Sequence, residues 1–139
     1  MPTDYRVLPN FAWSIASKKD IHVYGDGNQT RTFCYITDAM IGFFKVLVES
    51  HLPDVYNVGN PNPEISINKL VSTIGDILNT EPKLNHVPYP ASYPADEPMR
   101  RCPDITKIKN ELDYSPVIDL NEGLSRFFLW ANEYYKQFT

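Results

Sequence analysis

The 139-residue sequence has few cysteines, no excess of basic charge and no long apolar run. Cys34 and Cys102 match no zinc or redox spacing, so we expect two reduced thiols in a cytoplasmic protein. No run of 18 apolar residues predicts a membrane span, and the initial MPTDYR lacks the apolar core of a secretory signal. The net charge of −4 argues against nucleic acid as a partner, because phosphate backbones bind clustered lysine and arginine.

Motifs of common catalytic and metal sites are missing as well. His22, His51 and His86 stand far apart without H-E-x-x-H spacing, so we predict no metal site. The sequence contains no G-x-S-x-G, no G-x-x-G-x-x-G, and no tyrosine followed by a lysine four residues later. We therefore assign neither catalytic nor cofactor-binding residues to this chain.

Apolar residues are plentiful at 42%, which predicts a packed core. Their periodicity, together with capping residues, predicts five helices. The first helix begins at Pro9, and the next three are capped by Thr37-Asp38, Ser66 and Asp104. The helix capped by Asp104 is broken at Ser115-Pro116. The fifth is a final amphipathic helix that carries Leu124 and Phe128. The second helix is apolar nearly all round over residues 39–50, so we expect it to be buried. If it is not fully buried, the chain should self-associate or be only marginally stable.

Short strands are predicted over residues 21–24, 32–36 and 55–58, and residues 84–87 are expected to be extended. The proline-rich stretch 88–103 is expected to be irregular. A doubly wound parallel sheet needs more βα repeats than this. We therefore predict a small mixed α/β domain, or a lobe that leans on further structure.

Two segments carry candidate phosphate ligands. In the first, Gly25 and Gly27 permit close backbone approach to a ligand, and Arg31 follows at a strand. The alternative is a glycine turn followed by a surface arginine, and the dinucleotide pattern fails because Thr30 stands where a third glycine is required. The second segment spans residues 96–105 and holds Arg100 and Arg101, which either clamp phosphate or pair with nearby acidic residues.

Three segments, taken together, resemble a known family. They are VYGDGNQTRTFCYITDA, DVYNVGNPNPEISINKL and RRCPDITKIKNELDYSPVIDLNEGL, and they span nearly all of residues 7–136 in the expected order. They resemble motifs of the extended short-chain dehydrogenase/reductase superfamily, in particular the UDP-glucuronate decarboxylases. The resemblance implies an α/β fold in which this chain is the small substrate-binding lobe and the NAD-binding Rossmann domain is absent.

The resemblance also implies roles for particular residues. Arg31 and Arg101 match arginines that hold the nucleotide diphosphate. Further positions match residues that line the base, ribose or diphosphate, namely Tyr24, the backbone of Val23, Asn57, Arg100 and, more weakly, Asn10. Asp113-Tyr114 replaces the usual Gly-Trp or Gly-Tyr, which affects packing more than binding.

In this family the Rossmann domain binds NAD and a Tyr-x-x-x-Lys pair moves protons, and both are missing from this chain. The resemblance therefore implies the nucleotide-sugar-binding portion of an NAD-dependent decarboxylase, dehydratase or epimerase that is inactive alone. A nucleotide-diphosphate sugar and the missing Rossmann domain are the expected partners. Two alternatives remain open: a stand-alone binding module that has lost catalysis, and a non-catalytic interaction domain.

Overall fold

The computed structural model describes residues 6–50, 53–91 and 97–137. His51, which the sequence analysis named, and position 96, the first of the second arginine segment, lie outside these ranges. The elements in chain order are α1 (Val7–Ala16), β1 (Ile21–Tyr24), β2 (Thr30–Arg31), α2 (Ile36–Glu49), β3 (Ile65–Ser66), α3 (Ile67–Leu78), β4 (Leu84–Val87), β5 (Arg100–Arg101), α4 (Thr106–Leu112) and α5 (Leu120–Tyr135). This is the predicted mixed α/β composition.

The chain forms two compact units, of which the first comprises residues 1–29, 66–99 and 124–139. In it β1 and β4 pair in parallel, with Ile21 opposite Leu84. Helix α3 buries the predicted apolar stripe, including Leu70 and Ile74. The Ser66 side chain accepts a hydrogen bond from the backbone N–H of Lys69 and caps this helix, as predicted.

The two other helices of the first unit also bury one face each. Helix α1 begins at Val7, two residues before the predicted start at Pro9, and buries Phe11. Proline is tolerated there because its missing N–H belongs to the first turn, where no partner is available within the helix. From Leu124 onward α5 belongs to this unit and buries Leu124 and Phe128, which confirms the predicted amphipathic helix.

The second unit comprises residues 30–65 and 100–123. Its sheet has the order β3-β2-β5, and β2 and β5 run parallel. Its core gathers Ile108, Leu112 and Tyr114, which are at most 6% exposed. Parallel β2 and β5 are far apart in sequence, so their pairing brings together the two arginine segments.

Several predictions fail in this unit. The strand predicted over 32–36 is wrong, because β2 ends at Arg31 and α2 begins at Ile36. The cap predicted at Thr37-Asp38 is also wrong, since the buried Asp38 carboxylate accepts the N–H groups of Val117 and Ile118 at 3.2 and 2.9 Å. A long-range hydrogen-bond partner thus overrides the local capping preference.

The predicted strand over 55–58 is absent, since none of the described strands pairs with these residues. Their side chains instead attach the segment to α4 and to the turn before it. The Tyr56 hydroxyl donates to a Glu111 carboxylate oxygen at 2.7 Å, and the Asn57 amide donates to the Asp104 carbonyl at 3.0 Å.

The boundaries of α4 differ slightly from the prediction. The Asp104 carboxylate accepts the Thr106 N–H at 2.9 Å, but the residue at the N-cap position is Ile105. The helix ends at Leu112, where Asp113 adopts a left-handed conformation with φ +48°, before the predicted break at Ser115-Pro116 is reached. In the described part of 88–103, the predicted irregular stretch contains the short strand β5.

Helix α2 is not buried, contrary to expectation. Its exposed apolar residues are Ile36, Met40, Ile41, Phe43, Phe44, Leu47 and Val48, which we call the α2 face. Leu47 is 66% and Val48 77% exposed, whereas the opposite side buries Asp38 and Gly42. No helix in the described part of the chain is long and apolar enough to span a membrane.

Candidate functional site

The second unit contains an open pocket of about 540 Å³. Its lining residues come from β2, β5 and the turn after residue 58: Arg31, Thr32, Cys34, Val58, Gly59, Asn60, Arg100, Arg101, Cys102 and Pro103. Thus the structure brings the two predicted arginine segments together in one cavity.

Arg31 and Arg101 are direct partners on neighbouring parallel strands. The Thr32 N–H donates to the Arg101 carbonyl at 3.2 Å and continues the ladder. Arg31 also donates from its guanidinium to the carbonyl of Thr30 at 2.8 Å. Since like charges placed opposite each other disfavour strand pairing, this arrangement is better suited to an anion than to packing alone.

Arg100 is held differently from Arg101. Its guanidinium binds the Glu64 carboxylate through Nε at 3.0 and 3.1 Å and through Nη2 at 2.8 Å. The same carboxylate accepts the Thr30 hydroxyl at 2.5 Å. The Thr30 hydroxyl, and after it the Arg100 guanidinium, hold the pKa of Glu64 below its ordinary value. Arg100 therefore contributes to the lining while its guanidinium is engaged by Glu64.

A buried tyrosine supports the turn that lines the pocket. The Tyr114 hydroxyl donates to the Gly59 carbonyl at 3.2 Å and lies 3.7 Å from the Cys34 sulfur. Burial raises the pKa of the Cys34 thiol, which therefore stays protonated. Tyr114 is fully buried, so its aromatic ring belongs to the core. The departure from the family's Gly-Trp or Gly-Tyr is at Asp113, and it leaves this ring in place.

Asn60 is a lining residue that sequence reasoning missed. It is 8% exposed, and its side-chain oxygen accepts the N–H of Asn62 at 3.0 Å. Its position two residues after Val58 in a Gly-Asn-Pro turn reads as an ordinary turn asparagine, so the sequence offered no separate signal. Asn57, which the sequence analysis named instead, is exposed and is not among the lining residues.

The three other predicted site residues lie in the first unit. The Tyr24 ring stacks on Tyr89 with centroids 5.8 Å apart. Val23 is 1% exposed, so its side chain belongs to the core. The Asn10 amide donates to the Arg6 carbonyl at 3.0 Å.

The glycine loop of the first unit does not fit a dinucleotide pyrophosphate. The N–H groups of Ile67 and Asn68, at the start of α3, donate to the carbonyls of Gln29 and Gly27 at 3.2 and 3.1 Å. Gly27 has φ +73°, and a Cβ there would lie 2.1 Å from the Asn68 side-chain oxygen. Glycine at position 27 is therefore required for packing within the unit. The N–H groups at the start of α3 already donate to the carbonyls of the loop, so they are not available to a pyrophosphate.

The described residues also contain no group of three or more His, Cys, Asp and Glu side chains arranged to hold a metal ion. The polar side chains that line the pocket carry guanidinium groups, thiols, the Thr32 hydroxyl and the Asn60 amide. Paired guanidinium groups bind phosphate or carboxylate oxygens through forked hydrogen bonds.

Known proteins resemble the chain over most of its length. The model of the NAD dependent epimerase/dehydratase family matches residues 1–59. UDP-glucuronic acid decarboxylase 1 of Arabidopsis thaliana is 35% identical over 123 residues, which are 88% of this chain and 27% of that protein. UDP-N-acetyl-alpha-D-glucosaminuronate decarboxylase of Bacillus cytotoxicus is 32% identical over 129 residues, which are 91% of this chain and 40% of that protein.

Solved structures agree with these relatives. UDP-glucuronic acid 4-epimerase from Bacillus cereus, in complex with UDP-glucuronic acid and NAD, superposes with a TM-score of 0.84 at 27% identity. The match covers 94% of this chain and 41% of the epimerase. The chain therefore spans less than half the length of each of these relatives. Together with the three ordered motifs, these similarities support the assignment of the chain to the extended short-chain dehydrogenase/reductase superfamily.

Proposed function

We propose that this chain is the nucleotide-sugar-binding portion of an NAD-dependent enzyme similar to UDP-glucuronate decarboxylase. Arg31 and Arg101 bind the diphosphate of the substrate between them. The observation that carries this proposal is their direct pairing across β2 and β5 in one pocket. Binding the non-reacting diphosphate orients the sugar for chemistry elsewhere in the enzyme.

The remaining predicted residues take supporting roles in this proposal. Tyr24 and the backbone of Val23 line the base, while Asn57 and Asn10 lie near the ribose or diphosphate. Arg100 adds positive charge to the pocket. NAD is bound by a further Rossmann domain, because the glycine loop of this chain does not fit a dinucleotide. The free thiols Cys34 and Cys102 are consistent with a cytoplasmic location.

The α2 face is where that further domain packs. Seven exposed apolar side chains lie on this one helix, and apolar side chains grouped in this way mark a surface for association. The relatives are more than twice as long as the matched region, which leaves room for a domain to cover it. Without that domain, the chain is expected to show no turnover of UDP-glucuronate with NAD.

An NMR-monitored titration with UDP tests the binding role. The expected dissociation constant is about millimolar, or about −4 kcal/mol, because the chain is titrated without the further domain that the proposal invokes. Arg31→Ala and Arg101→Ala should each abolish saturable binding, since each removes one forked contact. Arg126→Ala is the matched control, because Arg126 lies on α5 outside the pocket lining. Equal binding by all four proteins refutes the assignment.

A further inference from the structure

One carboxylate joins the two strands of the arginine pocket. Thr30 on β2 and Arg100 on β5 are direct partners in the parallel ladder, and Glu64 binds both side chains. The next pair along the same ladder is Arg31 and Arg101. The Glu64 contacts therefore lie one residue along the ladder from the two pocket arginines, and Arg100 itself lines the pocket.

The Glu64 contacts are placed where they counteract charge repulsion. Two arginines directly opposite each other disfavour strand pairing. β2 and β5 each have only two residues, so their ladder offers few backbone hydrogen bonds to resist that repulsion. A carboxylate that accepts hydrogen bonds from both strands adds charge-assisted contacts one residue away.

We propose that Glu64 is a positioning residue that fixes β2 against β5 through Thr30 and Arg100, and thereby sets the spacing of Arg31 and Arg101 for a diphosphate. This inference rests on the proposed function for its ligand. It assigns different roles to the two adjacent arginines. Arg101 contacts phosphate, whereas Arg100 binds Glu64 and so holds β5 against β2. We call the contacts of Glu64 with Thr30 and Arg100 the Glu64 clamp.

The exposure of the ion pair limits the size of the effect. The side chains of Arg100 and Glu64 are 65% and 28% exposed, and ion pairs in such surroundings contribute little to global stability. Loss of the Glu64 clamp should therefore change the pairing of β2 with β5 and the affinity for phosphate, and it should change the free energy of unfolding of the whole unit little. This separates a positioning role from a general structural one.

The first test measures binding of UDP and of inorganic pyrophosphate to Glu64→Gln. We expect the dissociation constants for both ligands to rise about fivefold. Arg100→Gln should have the same effect, and the double variant should show no further loss, because the two residues act as one clamp. Asp54→Asn is the matched control, since Asp54 pairs with Lys107 in the same unit but outside the pocket lining.

The second test does not depend on a ligand. The Thr32 N–H to Arg101 carbonyl hydrogen bond reports the β2–β5 pairing directly. Hydrogen exchange of the Thr32 amide should be faster in Glu64→Gln than in the wild-type chain, and unchanged in Asp54→Asn. Unchanged exchange in Glu64→Gln overturns the inference.

The outcomes separate the inference from the proposed function. If the wild-type chain binds neither UDP nor pyrophosphate, the proposed function fails. Hydrogen exchange of the Thr32 amide alone then decides whether Glu64 holds β2 against β5. If the wild-type chain binds and Glu64→Gln binds equally well or more tightly, the positioning role is refuted. Tighter binding would mean that Glu64 merely withholds Arg100 from the phosphate.

Discussion

Gly42 provides a quantitative test of how α2 packs in the second unit. A Cβ at this position would lie 2.5 Å from Val58 Cγ1 and 2.9 Å from Tyr114 Cε2. Tyr114 is fully buried, and its hydroxyl is bound to the Gly59 carbonyl, so the ring has little freedom to move. Overpacking of this kind costs about 1–3 kcal/mol, against a gain of about 1 kcal/mol from replacing glycine by alanine within a helix. We therefore expect Gly42→Ala to lower the free energy of unfolding by up to about 2 kcal/mol.

Gly123→Ala is the matched comparison in the same unit. A Cβ there would meet Tyr35 at 3.4 Å, which is an ordinary contact, so this variant should be neutral or slightly stabilising. Both tryptophans, Trp13 and Trp130, lie in the first unit, so fluorescence would not report the second. Hydrogen exchange of amides in α2 and α4 measures the stability of the second unit instead. Slower exchange in Gly42→Ala than in the wild-type chain would refute the described packing.

Three further predictions concern the pocket and the α2 face. Tyr114→Phe should destabilise the second unit by about 1 kcal/mol, measured by the same exchange, because the Gly59 carbonyl loses its buried donor. Replacing Leu47 and Val48 together by lysine should reduce self-association in analytical ultracentrifugation, and an unchanged mass would count against an exposed face. The pKa of Glu64 is lowered in the fold, so its contribution to stability is present above the ordinary pKa of 4.5 and lost as pH falls through the lowered value. The protection of the Thr32 amide against hydrogen exchange, corrected for the intrinsic effect of pH, should therefore fall from about pH 6 to about pH 3 in the wild-type chain, and Glu64→Gln should lack this fall.

Local patterns predicted the elements that carry a local sequence signal. Residues 21–24 form β1 and Ser66 caps α3, because a strand's residue types and a serine cap can be recognised from adjacent residues, although β1 itself pairs with the distant β4. Asp38 does not cap α2, because its carboxylate accepts the N–H groups of Val117 and Ile118, which are far away in sequence. A search for local capping residues cannot detect such a partner.

The buried character predicted for α2 failed for a different reason. A helix that is apolar nearly all round indicates that something covers it, but not that the cover belongs to the same chain. The exposed Leu47 and Val48 leave that cover to a partner or to a further domain. The predicted strand over 55–58 failed because none of the described strands pairs with it.

The site was predicted in part. Family resemblance led to the expectation that Arg31 and Arg101 approach each other, and the parallel pairing of β2 and β5 places them side by side. Their role toward a diphosphate stays a prediction. Glu64 carried no signal of its own, because an exposed glutamate before a short strand is ordinary, and its significance depends on the Thr30–Arg100 pair.

A crystal structure of the chain with UDP tests the central claim most directly. We predict that the diphosphate lies in the pocket of the second unit, with oxygens about 2.8 Å from the guanidinium nitrogens of both Arg31 and Arg101. Arg100 should remain on Glu64, as it is without nucleotide. A diphosphate bound away from these two arginines, or bound by only one of them while the other points elsewhere, would contradict the account.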